Sequence, residues 1–244
     1  MAHAIKQFIE QADQVFIMGH TQPDLDSLGS SLGIYRASLA LGKQAYIVFE
    51  ESNPSIHSLY NRLIEKGYED ILIKPDRAKR MVTENTLLVV CDTHRPSFTQ
   101  EPDLLNLTDH IIVIDHHRRA SEFIKDPSLV YLEPYASSTS ELVTEILIYM
   151  SDKLEITKLE AEALLAGITV DTKNFTFQTG VRTFEAASVL KRAGADTGVV
   201  REFFNDDYKT FLYRAEVILD SRIISNNIAI GRLERDMEDS VLIA

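Results

Sequence analysis

The chain predicts an α/β fold, a doubly wound and mostly parallel sheet flanked by helices, and three observations carry that prediction. Apolar runs at 15–18, 86–91 and 111–114 are continuous rather than alternating, as in strands covered on both faces. Stretches with helical spacing separate these runs, the order that lays strands side by side through crossover helices. Three of the runs are followed by histidine or aspartate, and open α/β sheets collect ligands at the carboxyl ends of their strands.

Taken in order, the first strand is expected at 15–18, turning at Gly19-His20. Asp24 or Asp26 can then cap a helix that runs to about Leu41, with Gly42 as its stop. Gly29 and Gly33, one turn apart, are expected to let that helix pack closely on the sheet. A strand follows at 45–49, then a helix from Pro54 through Leu59, Leu63 and Ile64 to a stop near Gly67, then a short strand at 71–73. Strong strands are expected at 86–91 and 110–114, and an edge strand at 129–132. From Ser138 the spacing is helical, at about 139–151, 157–169, 182–193, 197–205 and 207–224. Ser138 and Glu141 have the spacing of a capping box, and Gly194 marks a helix end. The segment 223–233, with Asn226-Asn227 at its centre, reads as a hairpin or the opening strand of a new unit. The expected organisation is a main domain over 1–205, a linker helix over 206–224 and the truncated start of a second domain over 225–244.

Composition narrows the function classes. The chain has 244 residues, 45% of them hydrophobic, and a net charge of −12 from 25 basic and 37 acidic residues. Long nucleic acids are not expected partners, because binding them draws on basic surface. A small anionic substrate held at a metal site fits better. No apolar stretch approaches the roughly 20 residues that span a bilayer, and no signal-peptide pattern opens the chain, so this fragment is expected in the cytoplasm. Cys91 is the single cysteine, which excludes an intrachain disulfide and a thiolate metal cluster. Its apolar neighbours place it in the core.

The chemistry gathers in His20, Asp24 and Asp26, in Asp92, in Asp115-His116-His117, and in Asp171. Any one aspartate after a strand is ordinarily a turn or helix cap. The joint pattern, His-x3-Asp-x-Asp, then strand-Asp, then strand-Asp-His-His, is that of a metal site. Carboxylates mixed with imidazoles favour manganese, magnesium, cobalt or iron(II) over a tetrahedral structural zinc. Two such cations a few ångströms apart are a recurring device for breaking phosphate esters. No G-x-G-x-x-G motif occurs. His3, His57 and His110 are expected to be structural or surface residues, and the role of His94, two positions after Asp92, stays open.

The segment His20-Thr21-Gln22-Pro23-Asp24-Leu25-Asp26, together with Asp115-His116-His117, resembles the DHH phosphoesterase superfamily over residues 13–205. The phrases Met18-Gly19-His20, Asp92-Thr93-His94-Arg95-Pro96-Ser97, Ser137-Ser138-Thr139-Ser140-Glu141 and the stretch 167–175 are similar to the catalytic portion of GdpP-type cyclic-di-AMP phosphodiesterases. This resemblance implies one Mn²⁺ held by His20, Asp24 and Asp92, and a second held by Asp26, Asp92, His116 and Asp171, with Asp92 bridging. It further implies that His117 contacts a substrate phosphate and that Asp115 orients the histidines. Arg118 and Arg119 would steady a phosphate oxygen or form a solvated loop. Ser138 and Thr139, at a helix start, would receive a phosphate on their amides or simply cap the helix. The implied activity is manganese-dependent opening of cyclic di-AMP to linear pApA. An oligoribonuclease or 3′-phosphoadenosine phosphate phosphatase, and a non-catalytic nucleotide sensor, are the alternatives. The superfamily's second domain, DHHA1, would begin at 225–244, but its Gly-Gly-Gly-His stretch is absent here. Relatives of this type are membrane-tethered, so the parent protein is expected at the membrane with this part facing the cytoplasm. A homodimer is left open.

Overall fold

A computed structural model describes residues 1–50, 54–150, 154–205, 208–225 and 227–232. Strands β1 (Gln14–Met18) and β2 (Gln44–Val48) run parallel, and β3 (Leu72–Ile73) extends the sheet beyond β2. On the other side of β1 lie β4 (Thr86–Cys91), β5 (Ile111–Asp115) and β6 (Leu129–Leu132). The order is β3-β2-β1-β4-β5-β6, and every pairing is parallel. The winding direction reverses between β1 and β4, which opens a crevice at their carboxyl ends.

Side chains alternate between the two faces of a strand, so a sheet with both faces covered needs apolar residues throughout. Val15, Ile17, Val89, Cys91 and Ile112 enter one core, whereas Phe16, Met18, Leu88, Val90 and Val113 enter the other. The first core is shared with α1 (Ala2–Gln11), α2 (Leu25–Ala40), α3 (His57–Glu65), α5 (Thr139–Met150), α6 (Lys158–Asp171), α7 (Val181–Arg192) and α8 (Thr197–Glu202). The second is covered more thinly, by Ala78 of α4 (Pro75–Met81), Leu104 of the 3-10 turn Pro102–Asn106, and Ile124.

Two helices, α1 and α4, add to those expected. The close-packing glycines also face a different neighbour. A Cβ at Gly29 would lie 2.5 Å from the Ala163 carbonyl oxygen, and one at Gly33 2.4 Å from Val143 Cγ1. They therefore admit α6 and α5, not the sheet. None of the described helices is long and apolar enough to cross a membrane.

The chain divides into units Met1–Phe203 and Phe204–Ala244. In the second, α9 (Tyr208–Asp220) ends earlier than the expected 224, because Arg222–Ser225 is extended as β7 and pairs antiparallel with β8 (Ile228–Ile230). The Arg232 amide donates to Asp220 Oδ2 at 3.2 Å. Of the segment 225–244 expected to open a further domain, 226 and 233–244 lie outside the described residues.

Candidate metal centre

Register brings the chemical residues to one level. Met18 pairs with Val90 and Cys91 with Ile114, so His20, Asp92 and Asp115 emerge from the same edge of the sheet, beside the switch point. Glycine lets the turn after β1 pack against α2: a Cβ at Gly19 would stand 1.8 Å from Ser27 Oγ and force that hydroxyl to turn away. Asp92 has φ of +63°, a left-handed conformation that aspartate tolerates better than most side chains, and its amide donates to the Ile114 carbonyl at 2.9 Å. Asp24 is the N-cap of α2, with Oδ1 accepting from the amides of Asp26 and Ser27, both at 2.9 Å. Asp26, in the first turn, is fully buried and faces the site. Asp171 arrives as the last residue of α6. Gly167 permits that approach, since a Cβ there would lie 2.7 Å from Asp26 Oδ1.

The donor atoms form three overlapping groups: His20 with Asp24 and Asp92, Asp92 with His116 and His117, and Asp26 with His116 and Asp171. His20 Nε2 is 3.4 Å from Asp92 Oδ2 and 3.7 Å from Asp24 Oδ1. His116 Nε2 is 3.6 Å from Asp92 Oδ1 and 3.0 Å from Asp171 Oδ2. One carboxylate, Asp92, thus turns an oxygen towards each imidazole.

Crowding these acids under low solvent exposure sets their protonation. Burial, then repulsion from Asp171, pushes the Asp26 carboxyl up to about 7. Burial, then repulsion from Asp26 and Asp24, drives Asp92 well above the usual carboxylate range. Burial opposes the charged form of His116, but its interaction with Asp171 outweighs that and holds the imidazole up at about 9. Burial likewise works against ionised Asp24, yet the hydrogen bond and charge of His20 bring its carboxyl below the ordinary range. His116 Nε2 is buried and meets Asp171 Oδ2 at 3.0 Å, off the direction of a well-formed hydrogen bond. A cluster of buried carboxylates with imidazole nitrogens turned into it fits divalent cations, which would supply the missing positive charge and displace the proton of His116.

Asp115 sits behind this cluster. His94 Nδ1 bonds to its Oδ2, while its Oδ1 accepts from the His117 amide at 3.1 Å and pairs with His117 Nδ1 at 2.8 Å. His94 Nε2 accepts the Ala120 amide at 2.9 Å, so the His94 proton resides on Nδ1. Burial disfavours ionised Asp115, but the His117 and His94 bonds win and bring it down to about 2. The hydrogen bond that His117 donates to Asp115, against the opposing effect of burial, raises the His117 imidazole, which is 56% exposed. The open role of His94 is therefore to hold Asp115.

The serine-threonine run at the start of α5 is turned inwards. The Thr139 and Ser140 amides donate to Asp26 Oδ2 and Oδ1 at 2.7 and 2.8 Å, and Thr139 Oγ1 donates to Asp92 Oδ1 at 3.0 Å. Ser138 and Thr139 are fully buried. Only half of the expected capping box forms. Ser138 Oγ accepts the Glu141 amide at 3.0 Å, but the Glu141 carboxylate binds Ser137 and, at 2.6 Å, Thr183 Oγ1. Arg118 is exposed, and the Arg119 guanidinium lies 4.3 Å over the Phe123 ring.

A parallel α/β sheet with acids and imidazoles gathered at its switch point is a class of domain that offers a donor set for cations beside the strand ends. Residues 14–168 match the DHH family, N-terminal domain, and the chain belongs to that family. The cyclic-di-AMP phosphodiesterase GdpP of Bacillus subtilis is 46% identical over 252 residues, covering 100% of this chain and 38% of its own length. The cyclic-di-AMP phosphodiesterase PdeA of Listeria monocytogenes is 44% identical over 249 residues, with the same coverage of both chains. The bifunctional oligoribonuclease and PAP phosphatase NrnA of Thermus thermophilus is 31% identical over 67% of this chain and 44% of its own. An exopolyphosphatase-related protein from Bacteroides fragilis shares the fold, with a TM-score of 0.78 at 22% identity over 91% of this chain and 65% of that one. The chain thus spans little more than a third of the phosphodiesterases it matches at 44–46%.

Proposed function

We propose that the chain is the hydrolytic part of a cyclic-di-AMP phosphodiesterase, cutting one phosphodiester bond to leave linear pApA and using two divalent cations, manganese foremost. One observation carries the reading: Asp92 belongs to donor groups on both of its sides, so two neighbouring cations would share it. The identity of 46% and 44% along the whole chain to proteins named for this substrate supports the choice of ester. When bound, such a pair of ions lowers the pKa of a shared water and neutralises charge on the phosphate oxygens.

The chain's own residues do the rest. With cations bound, Asp24, Asp26, Asp92 and Asp171 would give up their protons and supply the negative charge, with His20 and His116 as nitrogen donors. Asp115 accepts from His117 Nδ1 and favours the charged imidazole, whose second proton, on Nε2 of that exposed ring, can donate to a phosphate oxygen. Arg118 offers a guanidinium on the same loop. No serine or cysteine nucleophile is required.

Turnover of cyclic di-AMP, pApA, 3′-phosphoadenosine 5′-phosphate and pyrophosphate, measured side by side with Mn²⁺, tests the reading. Hydrolysis of cyclic di-AMP to pApA is expected. Cleavage of only pApA and the adenosine bisphosphate would replace it with the oligoribonuclease reading, which the match to NrnA favours. Binding without turnover would leave a sensor.

A further inference from the structure

We infer that Thr139 is a positioning residue: its hydroxyl sets the rotation of the Asp92 carboxylate, so that one oxygen faces each of two cation positions. The inference rests on the metal-centre reading above and adds a residue that touches neither cation nor substrate. Asp92 stands just beyond β4 in a left-handed conformation, outside the strand's own ladder. Its carboxylate has two jobs that conflict if it turns. Oδ2 lies 3.4 Å from His20 Nε2, and Oδ1 lies 3.6 Å from His116 Nε2. Thr139 Oγ1, 3.0 Å from Oδ1, supplies the hydrogen bond that distinguishes the two oxygens.

Two other roles for Thr139 fit less well. A substrate contact needs exposure, and Thr139 has none. A helix cap would bond the amides of its own helix, whereas this hydroxyl reaches a residue 47 positions away. The type of side chain also matters. The extra methyl of threonine restricts rotation about χ1, so the hydroxyl is aimed before any ligand arrives. Its amide meanwhile fixes Asp26 Oδ2, which ties the α5 start to both carboxylates at once.

The test compares Thr139→Val, which keeps the shape and removes the hydroxyl, with Thr139→Ser, which keeps the hydroxyl. Mn²⁺ stoichiometry and affinity are read by calorimetry, and the exchange coupling of an adjacent ion pair by electron paramagnetic resonance. The expected result is wild-type binding of two coupled ions, Mn²⁺ affinity about 10–100-fold weaker with loss of coupling in the valine variant, and values within a few-fold of wild type in the serine variant. If the valine variant does not fold, Thr139→Ala is compared with serine in the same way, since the smaller side chain cannot clash. Wild-type Mn²⁺ binding in the hydroxyl-free variant would overturn the positioning role and leave the metal centre standing. A raised KM for cyclic di-AMP with both ions retained would make Thr139 a substrate contact instead. Failure of the wild type itself to bind Mn²⁺ would remove both readings.

Discussion

Without cations, the protein should lose stability as pH rises from 6 to 8, and Mn²⁺ should restore it. Asp26 in the folded chain holds its proton up to about 7, against an ordinary 3.8. The folded state therefore binds more protons than the unfolded state across that interval, and stability declines as pH climbs through it. About three pH units at about 1.4 kcal/mol each set a ceiling of about 4 kcal/mol, part of it already lost by pH 6. His116 acts in the same direction. Raised from 6.5 to about 9, it contributes stability that is full below 6.5 and vanishes as pH passes 9. Asp115, at about 2, stays ionised throughout and adds no slope. Because Asp26 and His116 face each other, their contributions overlap, and about 2 kcal/mol is expected between pH 6 and 8. For a domain of this size that is about 4–8 °C in Tm. Circular dichroism melts of EDTA-treated protein at the two pH values give the number directly. Mn²⁺ at a hundred times its Kd should return about 3 kcal/mol per bound ion at pH 8. An apo Tm that is flat or rising from pH 6 to 8 would refute the account, as would equal Mn²⁺ stabilisation of wild type and Asp26→Asn.

Three further outcomes follow from named contacts. Asp92→Ala should abolish hydrolysis and reduce the number of bound Mn²⁺ ions, measured by elemental analysis after gel filtration; full activity with two ions bound would contradict a shared ligand. Gly167→Ala places a methyl 2.2 Å from Ser140 Oγ and 2.7 Å from Asp26 Oδ1, so it should cost about 1–3 kcal/mol in a denaturant titration and weaken Mn²⁺ binding. An unchanged midpoint would show that α2 and α6 can separate without penalty. His94→Ala strips Asp115 Oδ2 of its His94 partner and the Ala120 amide of its acceptor, and kcat should fall about 10–100-fold while the Mn²⁺ count stays at its wild-type value. Loss of bound metal would place His94 among the ligands.

How far the fold was legible depended on how many faces each segment buries. Strands such as 86–91 announce themselves because Leu88 and Val90 enter one core while Leu87, Val89 and Cys91 enter the other. The helix α1 does carry helical spacing, in Ala2, Ile5, Phe8 and Ile9, and could have been found, whereas α4 buries only Ala78 and leaves no periodic pattern. The early end of α9 had no local signal, because Ile223 and Ile224 continue the apolar spacing of the helix into β7. Gly29 and Gly33 marked a close approach correctly, but spacing alone does not say what approaches.

The site divides in the same way. Acids and imidazoles after strands could be found, since their placement follows from short-range geometry. Asp24 and Asp26 were equivalent as caps on spacing alone; in the fold Asp24 caps α2 and still lies among the cation donors, whereas Asp26 turns inwards. What could not be found were the groups that hold the acids in place. Thr139 and Ser140 look like any helix start, and their partner Asp26 lies 113 and 114 residues away. That separation explains how buried like charges persist at all. Desolvation and mutual repulsion work against Asp26, and the amides at the positive end of α5 offset part of that penalty without neutralising the charge. A complete offset would leave a stable cluster with little to gain from a cation. The partial one leaves Asp26 near 7, so the same groups that weaken the empty fold at neutral pH provide the driving force for filling the site.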